Sequence, residues 1–240
     1  REVEEKGKQL RIGLAGLGNV GTGVYKNLLK NQELLSERTG TTLVVTKIAV
    51  RDINRKRDIE VPKGLITADW KELIEDPDID VIVELIGGVD EAFKLISGAL
   101  NANKAVVTGN KAVLAERGKE LIELSEKQNA PLYCEAAVAG GIPIIKAVKE
   151  ALIGNRIGSI YGIINGTSNY ILTRMNSAGI EFSEALEEAK EKGYAEADPS
   201  LDINGWDAGH KAIILGWLSY GQWLRTEEVS VMGIEDISLD

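Results

Sequence analysis

The sequence predicts an α/β protein, a doubly wound parallel sheet followed by a smaller α+β domain. Three observations carry that expectation. Apolar, strand-like runs alternate with stretches of helical spacing from Leu10 to about Cys134. A glycine-rich turn joins the first run to the first helix, and beyond Glu135 the text shifts to small residues and glycine before a second set of elements begins.

Residues 1–9 are charged and read as an N-terminal extension. From Leu10, LRIGLAGLGNVGTGVYKNLLK runs as strand, turn and helix, with Val20, Val24 and Leu28 at helical spacing. Residues 42–50 (TLVVTKIAV) make a second strand that ends in a charged stretch over 51–58, and residues 81–86 (VIVELI) a third that ends in Gly87-Gly88. A helix closes over 99–104, residues 105–108 (AVVT) form a fourth strand, 119–128 another helix and 131–134 a fifth strand. The runs read as apolar and β-branched, as strands covered on both faces do. Their alternation with helices requires right-handed crossovers and hence a parallel sheet. In the second part, residues 144–152 read as a helix, 157–164 as a strand, and 166–169 open a further helix. The boundary is expected near 135, giving domains over 10–134 and 135–240.

Composition narrows the function classes. The chain has 240 residues and 26.0 kDa, and 44% of it is hydrophobic, enough for one large or two modest cores. Its 37 acidic and 28 basic side chains leave a formal net charge of −9, the wrong sign for neutralising nucleic-acid phosphates. One cysteine, Cys134, excludes an intrachain disulfide, and one histidine, His210, excludes a Cys/His metal cluster, which fits a reducing cytoplasm. The apolar runs are too short for a membrane span, and the charged start lacks a signal-peptide pattern.

Gly16-Leu17-Gly18-Asn19-Val20-Gly21 matches G-x-G-x-x-G in a strand-turn-helix frame. The first glycine allows the tight turn, the second lets the backbone approach a pyrophosphate, and the third lets helix and strand pack closely. Amides at the helix start then meet the anion. The second strand ends in Arg51, followed by Arg55, Lys56 and Arg57, and an arginine there accommodates a 2′-phosphate. Asp52 next door suits a ribose hydroxyl, so NADP is favoured and NAD stays open.

Residues 193–211 (GYAEADPSLDINGWDAGHK) gather Glu196, Asp198, Asp202 and Asp207 ahead of Lys211, on a helix expected to begin near Asn204. Asp207 and Lys211 are four apart and share a helix face. As an exposed pair they would stabilise little. Four acids exceed what helix capping requires, and such a group suits a cationic part of a ligand.

With these residues in view, the chain resembles the homoserine dehydrogenase family. The matching pieces are GLGNVG at 16–21, ELIGG at 84–88, VVTGNKAVLA at 106–115, EAAVAGGIPII at 135–145, GIINGTSNYIL at 162–172 and GYAEADPSLDINGWDAGHKAIIL at 193–215, in the family's order. The resemblance implies a Rossmann-type first domain, a second domain for substrate binding and dimerisation, and NADP- or NAD-dependent interconversion of L-homoserine and L-aspartate 4-semialdehyde on the route to threonine, methionine and isoleucine. By matching position, Lys211 is the catalytic lysine that receives the developing alkoxide and donates a proton, and Asp207 contacts substrate and orients it. Glu196 matches the residue that binds the substrate's α-ammonium, and Asp202 a further acid of the pocket. Lys111 is implied to reach both cofactor and substrate, assisting proton transfer or holding the substrate carboxylate.

The cofactor set expected is then Gly16, Gly18, Asn19, Val20, Gly21, Arg51, Lys56, Gly88 and Lys111. Glu135, Val138, Gly140 and Ile142 match a loop whose oxygens hold a sodium ion, three of them backbone carbonyls. A homodimer or higher homo-oligomer is implied, with a small-molecule substrate and neither nucleic acid nor membrane as partner. Family members normally continue past the point where this chain stops, many into a threonine-sensing domain, so the second domain is expected to be incomplete at its C-terminus. A nucleophilic Cys134 would suggest an acylating semialdehyde dehydrogenase, but that chemistry wants a partnering base, and an inert buried thiol is expected. Two alternatives stay open: another NAD(P)-dependent dehydrogenase sharing the first domain, and a fragment that binds dinucleotide and dimerises without catalysing.

Overall fold

A computed structural model of the chain describes residues 8–196 and 198–238. It divides between Ala137 and Val138 into two units. The first is built on six parallel strands: β1 (Lys8–Ala15), β2 (Thr41–Ala49), β3 (Ile66–Thr67), β4 (Val81–Glu84), β5 (Ala105–Thr108) and β6 (Leu132–Tyr133). Their spatial order is β3-β2-β1-β4-β5-β6. The chain winds outward from β1 through α1 (Asn19–Lys30) and α2 (Gln32–Thr39) to β2, then passes α3 (Lys71–Glu75) and returns to β4 on the other side. The winding direction therefore reverses between β1 and β4, where open α/β sheets bind ligands beyond their carboxyl ends. Two long helices follow, α4 (Asp90–Asn101) and α5 (Lys111–Gln128). Leu14, Ile48, Ile82 and Val106 of the sheet are fully buried, as are Leu95, Ile96 and Leu100 of α4 and Leu121 of α5.

Several expectations need correction. Lys8 and Gln9 belong to β1 and not to an extension: they pair with Thr41 and Thr42, and ladder pairing extends the strand past its apolar run. Residues 1–7 of that expected extension lie outside the described residues. The sheet has six strands where five were expected, because β3 is two residues long and too short for any periodicity. Helix α5 begins at Lys111, well before residue 119, since the Asn110 side chain caps it by accepting from the Val113 amide (3.2 Å). The strands are also less apolar than they read, for Glu84 and Thr108 at the ends of β4 and β5 are fully buried.

The regular elements among the described residues of the second unit are all helices. A short α6 (Ile144–Lys146) runs into a π-turn over Ala147–Ala151, where the Leu152 amide reaches the Ala147 carbonyl (2.9 Å), so the expected single helix over 144–152 changes pitch. Residues 157–164, expected as a strand, form no ladder. A strand needs a hydrogen-bonding neighbour, and no other strand is present among the described residues of this unit; Ile160, Tyr161 and Ile163 stay exposed. Then come α7 (Gly166–Ala178), α8 (Phe182–Glu191), α9 (Ser200–Ile203) and α10 (Trp206–Tyr220). Their core joins Ile171 and Met175 of α7, Ala185 and Ala189 of α8, Ala195, Ile203 and Ile234. Ile234 donates to the Ile203 carbonyl (2.8 Å), and the nearby Gly205 (φ +86°) leads into α10 where a Cβ would stand 2.7 Å from the Met232 carbonyl oxygen. Trp217 packs on Trp223 and Trp206 on His210, with ring centroids 4.7 and 5.7 Å apart, as packing residues should. No helix among the described residues is long and apolar enough to cross a membrane.

Candidate functional site

In the first unit, the turn after β1 is shaped by two glycines and left open by a third. Gly16 has φ +101° and lies so close to the end of β4 that a Cβ there would sit 2.4 Å from the Leu85 carbonyl oxygen. A Cβ on Gly21 would sit 2.1 Å from the Gly16 carbonyl oxygen. Gly18, by contrast, is exposed and a Cβ would meet nothing within 4 Å. It is the N-cap of α1, no side chain caps it, the first turn carries no acid, and Asn19 and Val20 are exposed. Free amides at a dipole's positive end with room in front of them suit an anionic phosphate.

Around the neighbouring strand ends, Arg51 and Lys56 are exposed. The Arg57 guanidinium holds their loop by donating to the carbonyls of Asp52 (2.7 Å) and Arg55 (2.9 Å), and the Asp52 carboxylate accepts from the Asn54 amide (2.8 Å). Gly88 lies after β4 with φ +73°, and its carbonyl accepts from the Asn110 amide group (2.7 Å). Lys111 is the first residue of α5 and half-buried. Of the cation-loop residues, Glu135 opens a 3₁₀ turn, Val138 is buried, and Gly140 and Ile142 are exposed. Among the described residues no cluster of His, Cys, Asp and Glu side chains could hold a metal ion. Cys134 is a buried thiol.

In the second unit a cavity of about 610 Å³ is lined by Asn165, Thr167 and Tyr170 from the start of α7, and by Tyr194, Asp202, Asp207 and Lys211. The Lys211 ammonium donates to Asp207 Oδ2 (2.6 Å) and to the Ile164 carbonyl (2.6 Å). Both side chains are withdrawn from water, at 17% and 8% exposure. A pair so placed gives up much of its hydration, and additional hydrogen bonds are needed to hold it there. Asn165 supplies them. Its amide group donates to Asp202 Oδ1 (2.7 Å) and Asp207 Oδ2 (2.8 Å), while its oxygen caps α7 by accepting from the Ser168 amide (2.7 Å). Two of the ammonium's three hydrogens are engaged by these protein oxygens, which leaves one for a ligand oxygen. Two carboxylates against one ammonium leave the pocket one negative charge in excess, suited to a cationic group.

The other acids of the cluster lie apart. Asp198 lies just before α9 and accepts from the Ser200 amide (3.1 Å) and hydroxyl, contacts that lower its pKa. Glu196 is exposed and is not among the residues lining the cavity. Asn165 is a site residue that sequence reasoning missed, although an Asn ahead of Gly166-Thr167-Ser168 carries an N-cap signal.

A family model described as "Homoserine dehydrogenase, NAD binding domain" matches residues 16–135, and one described as "Homoserine dehydrogenase" matches residues 143–240. The homoserine dehydrogenase of Bacillus subtilis is 41% identical over 231 residues, covering 96% of this chain and 53% of its own length; that of Helicobacter pylori is 46% identical over 233 residues, covering 97% and 54%. Among solved structures, a homoserine dehydrogenase from Thiobacillus denitrificans superposes with a TM-score of 0.90 at 42% identity, covering 96% of this chain and 53% of that one. A hyperthermophilic archaeal homoserine dehydrogenase in complex with NADPH gives 0.81 at 31%, covering 95% and 75%. The chain spans about half the length of the curated relatives it matches.

Proposed function

Because the chain belongs to the homoserine dehydrogenase family, we propose that it carries the dinucleotide-binding and catalytic residues of an NAD(P)-dependent enzyme that interconverts L-homoserine and L-aspartate 4-semialdehyde. The observation that carries this reading is the Lys211 ammonium held between Asp207 and Ile164 on a cavity with one carboxylate in excess. Reduction of the aldehyde needs a hydride on carbon and a proton on oxygen. A bound nicotinamide supplies the hydride chemistry. Lys211 meets the oxygen with its remaining N–H, stabilises the charge that develops there and donates the proton; in the oxidative direction it receives the hydroxyl proton. Asp207 keeps the ammonium in place. By its match to the family Glu196 binds the α-ammonium, Asp202 is a further acid of the pocket, and Lys111 holds the substrate carboxylate or assists proton transfer.

The glycine cradle of Gly16, Gly18 and Gly21 with the open first turn at Asn19 and Val20 would hold the pyrophosphate, and Gly88 and Lys111 lie at neighbouring strand ends. NADP is favoured over NAD because Arg51 and Lys56 offer exposed positive charge while the Asp52 carboxylate already accepts from Asn54. A sodium ion on oxygens of Glu135, Val138, Gly140 and Ile142 is part of the reading. Its support is the donor chemistry, a carboxylate and carbonyls in a loop bent by positive φ at Ala139 and Gly141. Assembly as a homodimer and a cytoplasmic location complete it, the latter in keeping with a single cysteine, the buried Cys134.

Steady-state assays of the full-length protein with NAD and NADP in parallel, with and without sodium, and with homoserine against other hydroxy acids, test the reading. Preferential oxidation of homoserine, faster with NADP, is expected; preference for another hydroxy acid would contradict it. The half-length coverage of relatives favours a second reading for the 240-residue chain alone, in which it binds dinucleotide without turnover. Calorimetric cofactor binding by this piece with no homoserine oxidation would select that one.

A further inference from the structure

A fully buried carboxylate stands in the first unit outside every role assigned so far. Strand register aligns Ala15 of β1, Glu84 of β4 and Thr108 of β5 in one row, the last before the glycine turn, the Gly87-Gly88 loop and the turn that leads to Lys111. Glu84 has no exposed surface. Its Oε1 accepts from the Ile86 amide (2.9 Å) and its Oε2 from the Thr108 hydroxyl (2.5 Å). The chain of contacts continues outward. Thr108 Oγ1 accepts from the Asn110 amide (3.0 Å), Asn110 donates its side-chain N–H to the Gly88 carbonyl (2.7 Å), and its side-chain oxygen caps α5 through Val113 (3.2 Å).

A buried acid is costly unless its oxygens are satisfied, and a strand core needs none. The Ile86 amide can only donate, whereas the Thr108 hydroxyl donates here and is also able to accept; a glutamine would have to reverse the Thr108 contact, turning the buried hydroxyl hydrogen away from the side chain. The network joins the β4 loop to the turn that presents Lys111, and each hydrogen bond in it fixes the orientation of the next.

We propose that Glu84 is a positioning residue that, through Thr108 and Asn110, sets the Gly87-Gly88 loop and the Lys111 turn as one rigid piece. The catalytic consequence rests on the reading of Lys111 given above. A misplacement of about 1 Å of a group at the reacting centre costs on the order of a hundredfold in rate.

The test uses the full-length protein in four variants, Glu84→Gln, Thr108→Val, Thr108→Ser and Lys111→Ala, with two readouts. Amide exchange in the cofactor-free protein should accelerate at Ile86, Asn110 and Val113 in E84Q and T108V while central sheet amides such as Ile82 keep their rates, and T108S should restore the protected pattern. In kinetics, E84Q should lower kcat about tenfold or more in the wild-type background and not at all in K111A, because a residue that acts through Lys111 has nothing left to act on. Unchanged exchange at those amides, or the same fold loss of kcat in both backgrounds, would overturn the proposal. Should K111A turn over like wild type, it is the reading of Lys111 that fails, and the exchange pattern still decides the positioning role. If E84Q does not fold, T108V against T108S carries the same comparison.

Discussion

At Gly18 and Gly21 the same residue type answers to opposite physical demands. A methyl on Gly21 would overlap the Gly16 carbonyl, whereas one on Gly18 would enter open space. Gly21→Ala is therefore expected to cost about 2 kcal/mol or more of stability, as overpacking does. Gly18→Ala should unfold at the wild-type denaturant midpoint and lose dinucleotide affinity by about tenfold, since the methyl stands where backbone must approach the pyrophosphate. Paired denaturation and calorimetry check both, and a destabilised G18A would be the wrong result. Asn165 works by a different route, through two donor hydrogens that hold Asp202 and Asp207 together. Asn165→Ala should lower kcat about tenfold or more, with a smaller effect on cofactor KM, measured with both substrates varied. These residues were unequally legible. The glycine pattern and the Asp207–Lys211 spacing stand in the sequence as local motifs. Asn165 and Glu84 act through partners 37 and 24 positions away, and separations of that size leave no periodic trace.

Elements were readable where they are long and repetitive. β1, β2, β4 and β5 follow from apolar runs, while β3 exists only because β2 offers a neighbouring edge, and the expected strand over 157–164 lacks such a neighbour among the described residues of its unit. Helices α7 and α8 owe part of their docking to a charge clamp that no local pattern shows. Arg174 grips both oxygens of Glu188 at 2.7 and 2.9 Å, and the Tyr170 hydroxyl donates to the same carboxylate (3.2 Å). The Arg174 hydrogen bonds hold the Glu188 carboxyl down to about 2 from its ordinary 4.5. A carboxylate whose folded value lies below its unfolded one contributes stability that is fully present above the unfolded value and fades as pH falls toward the folded one. Thermal melts should accordingly show wild type losing its advantage over Glu188→Gln between about pH 4.5 and pH 2. A constant difference across that range would rule the clamp out as the source.

For the whole molecule, the division at Ala137 and Val138 separates the sheet unit that carries the glycine turn proposed for the dinucleotide from the unit that holds the Lys211 pocket. The net charge of −9 makes the exposed Arg51 and Lys56 a local exception, and that exception decides the expected cofactor preference. A ligand present at a hundred times its Kd stabilises by about 2.7 kcal/mol, so NADP at a fixed concentration should raise the melting temperature of the full-length protein more than NAD does. Equal shifts would contradict the role given to Arg51 and Lys56.

The Lys211 ammonium is expected to handle the proton on the reacting oxygen and to take no part in holding the dinucleotide. The most direct measurement compares wild type with Lys211→Ala in the full-length protein, by single-turnover hydride transfer and by calorimetric dinucleotide binding. The expected result is hydride transfer slowed by about a thousandfold or more with dinucleotide affinity unchanged, the pattern of an interaction made in the transition state. Losses of similar size in both, or hydride transfer at the wild-type rate, would contradict the account.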